Sequence, residues 1–118
     1  MVNRLVEIFK ALGDENRIRI LNLLRKGELC VCEIEAILGI TQSNVSRHLN
    51  KLKNAGIITY EKKSQWVYYK VDDEFIQQNS LLYDFLNHQM NINNQCIKDT
   101  EKLKKCKDGN TACEQLDE

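Results

Sequence analysis

The chain has 118 residues, of which 42% are hydrophobic and 29% are charged, and its formal net charge is zero. This length holds one domain with one core, and this composition excludes a disordered or membrane-embedded chain. Residues 1–70 carry 12 lysines and arginines against 7 acids, whereas residues 71–118 carry 5 against 10. The neutral total therefore hides a basic N-terminal part, as a nucleic-acid-binding surface requires.

The first twenty residues mix charged and apolar side chains, so we expect no signal peptide, no membrane span and a cytoplasmic protein. Cysteines in a reducing compartment are better interpreted as thiols or metal ligands than as disulfides. There are five of them: Cys30, Cys32, Cys96, Cys106 and Cys113.

Two short helices are predicted at the start of the chain. Apolar residues of the first recur at spacings of three and four: Leu5, Ile8, Phe9 and Leu12. Gly13 ends this helix and Asp14 caps the next, which ends near Lys26 and Gly27. We expect the arginines of the second helix to face mostly outward: Arg17, Arg19 and Arg25.

The next segment predicts two helices joined by a tight turn. A third helix runs from Glu28 and is ended by Gly39, and Thr41 caps a fourth that reaches Ala55 and stops at Gly56. Helix, short glycine turn, helix is the helix-turn-helix pattern of DNA-binding proteins.

The fourth helix separates an apolar stripe from a polar face. Val45, Leu49 and Leu52 form the stripe, at spacings of four and three. The opposite face carries side chains that can hydrogen-bond base edges or phosphates: Gln42, Ser43, Ser46 and Arg47. His48 flanks this face, as a DNA contact or as a residue satisfied within the protein. A merely solvated face is the alternative interpretation.

A two-stranded hairpin with a basic tip follows. Residues 57–60 and 66–71 are rich in β-branched and aromatic types and flank residues 61–65. Lys62 and Lys63 are candidates for phosphate contacts, although a lysine-bearing tip also serves solubility. The predicted fold is therefore mainly α with a small β-hairpin, a winged helix-turn-helix.

Beyond Asp73 the pattern is helical again, with an apolar seam: Leu82, Phe85, Leu86, Met90 and Ile97. Together with the first helix, this seam predicts a helical homodimer interface. Residues 102–118 are polar and predicted to be frayed. We divide the chain into a DNA-binding and dimerisation domain at 1–95 and a cysteine-containing helix end and tail at 96–118.

Three runs, at residues 9–21, 28–33 and 42–49, together resemble the ArsR/SmtB family of metal-sensing repressors. The resemblance covers residues 4–90, and the Cys-Val-Cys box is its most specific part. It implies a dimer that binds double-stranded operator DNA with its fourth helices in successive major grooves, wings on the flanking backbone, and an inducer that lowers DNA affinity. The recognition positions it implies are Gln42, Ser43, Ser46, Arg47 and His48.

The inducer ligands implied by the resemblance are Cys30 and Cys32, whose thiolates suit soft ions. Arsenic-sensing members have a third cysteine where this chain has Glu35. The third ligand therefore stays open among the remaining cysteines: Cys96, Cys106 and Cys113. These three can also be bystanders, and the box itself can be an ordinary pair of buried cysteines.

Arsenite or antimonite is the inducer that these residues favour. Cadmium and lead sensors of the family take cysteines from an N-terminal extension that has none here, and the zinc-type histidine pairs are missing because His88 stands alone. Cadmium, lead and zinc nevertheless remain candidates. Two cysteines at i and i+2 in a helix point apart, so we expect inducer capture to distort the helix start.

Other functional classes have less support. The sequence shows no Cys-x-x-Cys motif, phosphate-binding glycine loop or nucleophile–base set, so we do not expect an enzyme. A repressor of the same fold that responds to thiol oxidation, with Cys30 or Cys32 bridged to a tail cysteine, is an alternative. A regulator controlled by a protein partner is another.

Overall fold

A computed structural model describes residues 2–108. The elements in chain order are α1 (Val2–Leu12), α2 (Glu15–Leu24), β1 (Leu29–Cys30), α3 (Val31–Leu38), α4 (Gln42–Asn54), β2 (Ile58–Lys63), β3 (Trp66–Val71), α5 (Asp73–Gln78), α6 (Ser80–Ile92) and α7 (Asn94–Asp108). No helix within this range has both the length and the apolar character needed to cross a membrane.

The predicted helix boundaries in the first half are confirmed where capping chemistry fixes them. The Asp14 carboxylate accepts hydrogen bonds from the amides of the first turn of α2, and the Thr41 hydroxyl accepts from the amide of Asn44 in α4. Gly39 and Gly56 adopt left-handed backbone conformations, with φ of 72° and 77°. The helix-turn-helix α3–α4 is therefore specified locally, by its caps.

The start of the third helix differs from the prediction. Leu29 and Cys30 form a strand that pairs antiparallel with Tyr69 and Tyr68, so the helix begins only at Val31. The strand order is β1-β3-β2, which makes the predicted hairpin part of a three-stranded sheet. Helical periodicity in the sequence could not reveal this, because the pairing partner lies far along the chain.

The core lies between α2, α3, α4 and the base of the sheet. Its fully buried side chains include Leu21, Ile34, Leu49, Leu52 and Ile57. The apolar stripe predicted for α4 is thus confirmed as core. This packing leaves the opposite face of α4 at the surface.

The C-terminal half is broken into three helices. Asn79 separates α5 from α6, and Asn93 separates α6 from α7. Helix α7 packs against α2 and α3 and buries Leu103, so the expectation that the chain frays from residue 102 is wrong up to residue 108. The division at residue 95 falls inside α7. Residues 109–118, which complete the predicted tail, lie outside the described residues.

The predicted apolar seam is split by the break at Asn93. Leu86 and Met90 are buried within the protomer, whereas Phe85 is 58% exposed and Ile97 41% exposed. Further apolar side chains on α1 and α6 are exposed: Leu5, Val6, Phe9, Leu81 and Ile92.

Candidate nucleic-acid interface and thiol site

The polar face of α4 stands clear of the core. Gln42, Ser43 and Arg47 are exposed and Ser46 is partly exposed. Nη2 of Arg47 donates a 2.6 Å hydrogen bond to Oδ1 of Asn44. A row of donors and acceptors is thus presented to solvent along one side of the helix, which is the geometry of a major-groove reader.

His48 has a different environment from its predicted companions. Its side chain is only 7% exposed, and its Nδ1 lies 3.2 Å from Nη1 of Arg17. Because a guanidinium only donates, Nδ1 of His48 accepts and the ring is neutral. The imidazole is buried beside Arg17 of α2, which matches the interpretation of His48 as a residue satisfied within the protein, and its contact with DNA stays a prediction.

The surroundings of His48 disfavour its protonation. Burial lowers the pKa of His48 below its ordinary value, and the nearby cations of Arg17, Arg47 and Lys51 lower it further, against the opposing effect of Asp14. The pKa of Asp14 is also lowered: burial raises it, but hydrogen bonds from its N-cap position and the charge of Arg17 outweigh that effect. The contact between α2 and α4 is therefore a charged network, although Arg17 was expected to face outward.

The two wing lysines are placed differently. Lys62 is exposed to solvent. Lys63 forms an ion pair with Glu28 and lies over the ring of Tyr68, with Nζ 5.6 Å from the centroid. The hydrogen bond to Glu28 raises the pKa of Lys63. The tip thus keeps a cation at the surface while tying the wing to the segment before β1.

The Cys-Val-Cys box straddles the junction between β1 and α3. Cys30 is the last strand residue and the N-cap of α3, with an extended backbone, while Cys32 is in the first helical turn. The sequence predicted that both cysteines lie in one helix at positions i and i+2. That prediction is wrong, because only Cys32 is helical. Cys30 is buried and disulfide-bonded, contrary to the expectation of free thiols, whereas Cys32 is partly exposed and keeps its thiol.

Glu33 is a residue that the sequence reasoning missed. Its carboxylate is buried, with Oε1 accepting from the Cys30 amide at 3.0 Å and Oε2 accepting from Nζ of Lys107 at 3.3 Å. The signal available in the sequence was the acidic residue three positions after the N-cap, which is the second half of a capping box. Lys107 gave no signal, because it comes from α7.

The other cysteines lie on α7 or beyond it. Cys96 is buried near the start of α7, and its burial raises the pKa of the thiol. Cys106 is partly buried, packs against the core and keeps its thiol. Cys113 lies outside the described residues. Within residues 2–108 no three metal-binding side chains are already assembled as a site.

Comparison with known proteins places these features in a family. Residues 14–60 match the family described as "Bacterial regulatory protein, arsR family". The arsenic resistance transcriptional regulator ArsR2 of Pseudomonas putida is 36% identical over 104 residues, which cover 87% of this chain and 88% of that protein.

Two further relatives align over shorter segments. ArsR1 of Pseudomonas putida, also an arsenic resistance regulator, is 46% identical over 59% of this chain and 56% of its own length. A homolog of the cadmium resistance regulatory protein CadC from Staphylococcus aureus is 44% identical over 61% of this chain and 60% of its own length. The chain thus spans somewhat over half the length of these two relatives.

The fold is also similar to a solved structure. The homodimeric winged helix-turn-helix DNA-binding domain of a Mycobacterium bovis protein, a possible ArsR-family regulator, superposes with a TM-score of 0.65 at 25% identity, over 75% of this chain and 82% of that one. The sequence match, the superposed fold and the helix-turn-helix of α3 and α4 all indicate the same family. The chain belongs to the ArsR family of bacterial regulatory proteins.

Proposed function

We propose that this protein is a homodimeric transcriptional repressor that binds operator DNA and is released when arsenite or antimonite is captured at Cys30 and Cys32. One observation carries the proposal. The cysteine box caps α3 of the helix-turn-helix and also belongs to the sheet that forms the wing. An event at these sulfurs therefore acts on the wing through β3 and on α4 through α3, the helix that precedes it in the helix-turn-helix.

The DNA-binding half rests on α4 and the wing. Gln42, Ser43 and Arg47 supply exposed groups that can pair with base edges, with arginine to guanine and glutamine to adenine as the best-defined pairings. Ser46 and Lys62 are suited to backbone phosphates. Lys63 joins them if operator phosphates compete successfully with Glu28 for its ammonium group.

The homodimer is supported by the apolar residues left at the surface of α1 and α6. Phe9 is 54% exposed and Leu81 is 85% exposed, and a set of large apolar side chains left at the surface marks a surface for a partner. Twofold assembly covers it on both copies at once. The two α4 helices would then read half-sites about 34–36 Å apart.

The inducer proposal rests on thiol chemistry. Thiolates prefer soft ions, and a thiol at a helix N-terminus is favoured as the anion by the backbone amides. Cys32 has its thiol and partial exposure, whereas Cys30 supplies a ligand only after its disulfide is reduced. Because no three-ligand site is preassembled within residues 2–108, capture has to complete the site.

The positions of the α7 cysteines favour Cys106 as the third ligand. Cys106 is adjacent to Lys107, whose ammonium reaches Glu33 in the first turn of α3. Cys96 lies about 15 Å further along the helix axis, at ~1.5 Å per residue, and packs beside Asn22 of α2, which donates to its carbonyl oxygen. Cys113 remains the alternative.

The release mechanism follows from the junction between β1 and α3. Drawing Cys30 and Cys32 toward one ion moves the N-cap of α3 and disturbs the pairing of Cys30 with Tyr68 in β3. The wing and α4 then lose their common orientation, so DNA affinity falls. By linkage, operator DNA weakens inducer binding by the same free energy, typically ~1–3 kcal/mol.

Two alternatives remain for the signal. Cadmium or lead could bind the same thiols, because both are soft ions. One relative is named as a cadmium resistance regulatory protein. A response to thiol oxidation is favoured by a specific observation, the disulfide at Cys30. In that case reduction and oxidation of Cys30, without any ion, would set operator affinity.

The deciding experiment is fluorescence anisotropy of a labelled operator with reduced wild type, Cys30→Ser and Cys32→Ser, to which arsenite, antimonite, cadmium, lead and zinc are added in turn. Cys96→Ser is the matched control, since Cys96 is buried beside Asn22 of α2. We expect arsenite to release the wild type and Cys96→Ser but neither box variant.

Other outcomes separate the alternatives. Release by cadmium or lead alone would reassign the inducer. Release by a disulfide-forming oxidant, with no response to any ion, would favour the redox candidate. If every protein stays bound under all conditions, the inducer proposal falls and only the DNA-binding half remains.

A further inference from the structure

We propose that Glu33 and Lys107 form a clasp that holds the inducer site closed, so that α7 sets the inducer concentration needed for release. Glu33 is a positioning residue in this proposal, acting on Cys30, and Lys107 acts through Glu33. The inference rests on the proposed function, because it concerns the same cysteine box.

The carboxylate of Glu33 joins three segments. It is 3% exposed, accepts from the Cys30 amide through Oε1 and receives the Lys107 ammonium on Oε2. A buried carboxylate needs such partners, since its charge is strongly disfavoured away from water. The junction of β1 and α3 is thereby fastened to the last turns of α7.

The contacts of Glu33 oppose the movement of the two cysteines toward one ion. For Cys30 and Cys32 to reach one ion, the N-cap of α3 has to move, which strains the hydrogen bond from the Cys30 amide to Glu33. Lys107 resists that movement by holding the other carboxylate oxygen in place. The free energy of breaking these contacts of Glu33 therefore lowers the net affinity for the inducer.

The rest of α7 is anchored elsewhere, so the clasp can be loosened without losing the helix. Asp99 is buried and accepts two hydrogen bonds from Arg19 of α2, at 2.8 and 3.0 Å. Asn22 donates to the carbonyl oxygen of Cys96 and to Thr100 Oγ1. Loss of the Lys107 contact consequently frees only the end of α7, on which Cys106 can then move toward the cysteine box.

The test compares Lys107→Gln with wild type and with Lys105→Gln, which removes an exposed lysine two positions away on the same helix. All proteins are reduced, and arsenite is titrated against the operator-bound protein. We expect Lys107→Gln to lower the arsenite concentration for half-release about three- to tenfold. Operator affinity without arsenite should match wild type, as should both properties of Lys105→Gln.

Glu33→Gln keeps an acceptor for the Cys30 amide but removes the charge that holds Lys107. It should lower the half-release concentration in the same direction. The double variant should then show little beyond either single change, because both remove one interaction. Additive effects would mean that the two residues act separately, and would overturn the clasp.

A second readout does not depend on any inducer. Hydrogen exchange of the Cys30 amide in the reduced, metal-free protein should be about three- to tenfold faster in Lys107→Gln than in wild type. If arsenite fails to release the wild type while this exchange is faster, the proposed function falls but the clasp stands. If Lys107→Gln matches wild type in exchange and in arsenite release, the clasp falls.

Discussion

Arg17 joins α2 to His48 of the candidate recognition helix. Its Nη1 donates to Nδ1 of His48 at 3.2 Å, and its Nε donates to the carbonyl oxygen of Ala11 in α1 at 2.6 Å. One guanidinium thus fixes the mutual orientation of three helices. The polar face of α4 is aimed outward partly because this buried edge of the helix is held.

The burial of His48, together with the cation of Arg17 beside it, makes stability depend on pH. Because the pKa of His48 in the folded protein lies below its ordinary value of 6.5, the unfolded chain binds a proton first as the pH falls. Neutral His48 therefore contributes to the free energy of unfolding. Its contribution is complete above pH 6.5 and is lost as the pH falls toward the lower pKa of His48 in the folded protein. Urea denaturation at about pH 7.5 and about pH 5.5 measures it.

The control for this pH dependence is His48→Gln. The glutamine side chain offers Arg17 a neutral acceptor that does not titrate. We expect the variant to lose this component of the pH dependence while the components from carboxylates remain. An unchanged slope in His48→Gln would assign the effect to other groups.

Arg47→Ala should weaken operator binding about ten- to hundredfold, as expected for the loss of a contact that discriminates bases by ~1–3 kcal/mol. Arsenite binding by the free protein should be unaffected, because Arg47 is exposed on α4 and donates its hydrogen bond to Asn44 of the same helix. Anisotropy measures the first property and an arsenite titration of the free protein the second. Operator affinity equal to that of wild type would argue against α4 as the recognition helix.

Arg19→Ala should lower the free energy of unfolding by about 3 kcal/mol, since it leaves the buried carboxylate of Asp99 without its cation. Lys98→Ala, at the neighbouring exposed position, should change stability little. Chemical denaturation of the three proteins provides the comparison. A small loss in Arg19→Ala would mean that α7 is held mainly by its apolar contacts.

Gly56→Ala should destabilise the protein by about 1–2 kcal/mol from backbone strain at a left-handed position. An added Cβ would also lie 2.5 Å from Nη2 of Arg4. Gly39→Ala is the matched control, since it has similar backbone geometry but nothing within 4 Å of the added Cβ. Placing Arg4→Ala in the Gly56→Ala background should bring the two losses closer together in denaturation experiments.

The sequence predicted the features that are encoded locally. Caps at Asp14 and Thr41 and stops at Gly39 and Gly56 depend on a few neighbouring residues, so the helix-turn-helix could be placed from them. The polar face of α4 followed from helical spacing for the same reason.

Features formed between distant segments were missed. β1 at Leu29–Cys30 exists because β3 pairs with it, so its helical appearance in the sequence was misleading. The two interpretations of His48 could not be separated from the sequence, because its partner Arg17 lies on another helix. Glu33 was missed because its cation comes from residue 107. Other non-local contacts, from Arg19 to Asp99 and from Asn22 to Cys96, hold α7 against α2, although the polar composition predicted a frayed end.

The pairing of Cys30 with Tyr68 also has a consequence for how the chain folds. These residues are far apart in sequence, so the entropy of closing the intervening segment has to be offset before β1 can join β3. Local helices and the hairpin of β2 and β3 can form earlier at lower entropic cost. The cysteine box therefore takes its final geometry late in folding, after the hairpin with which it pairs has formed.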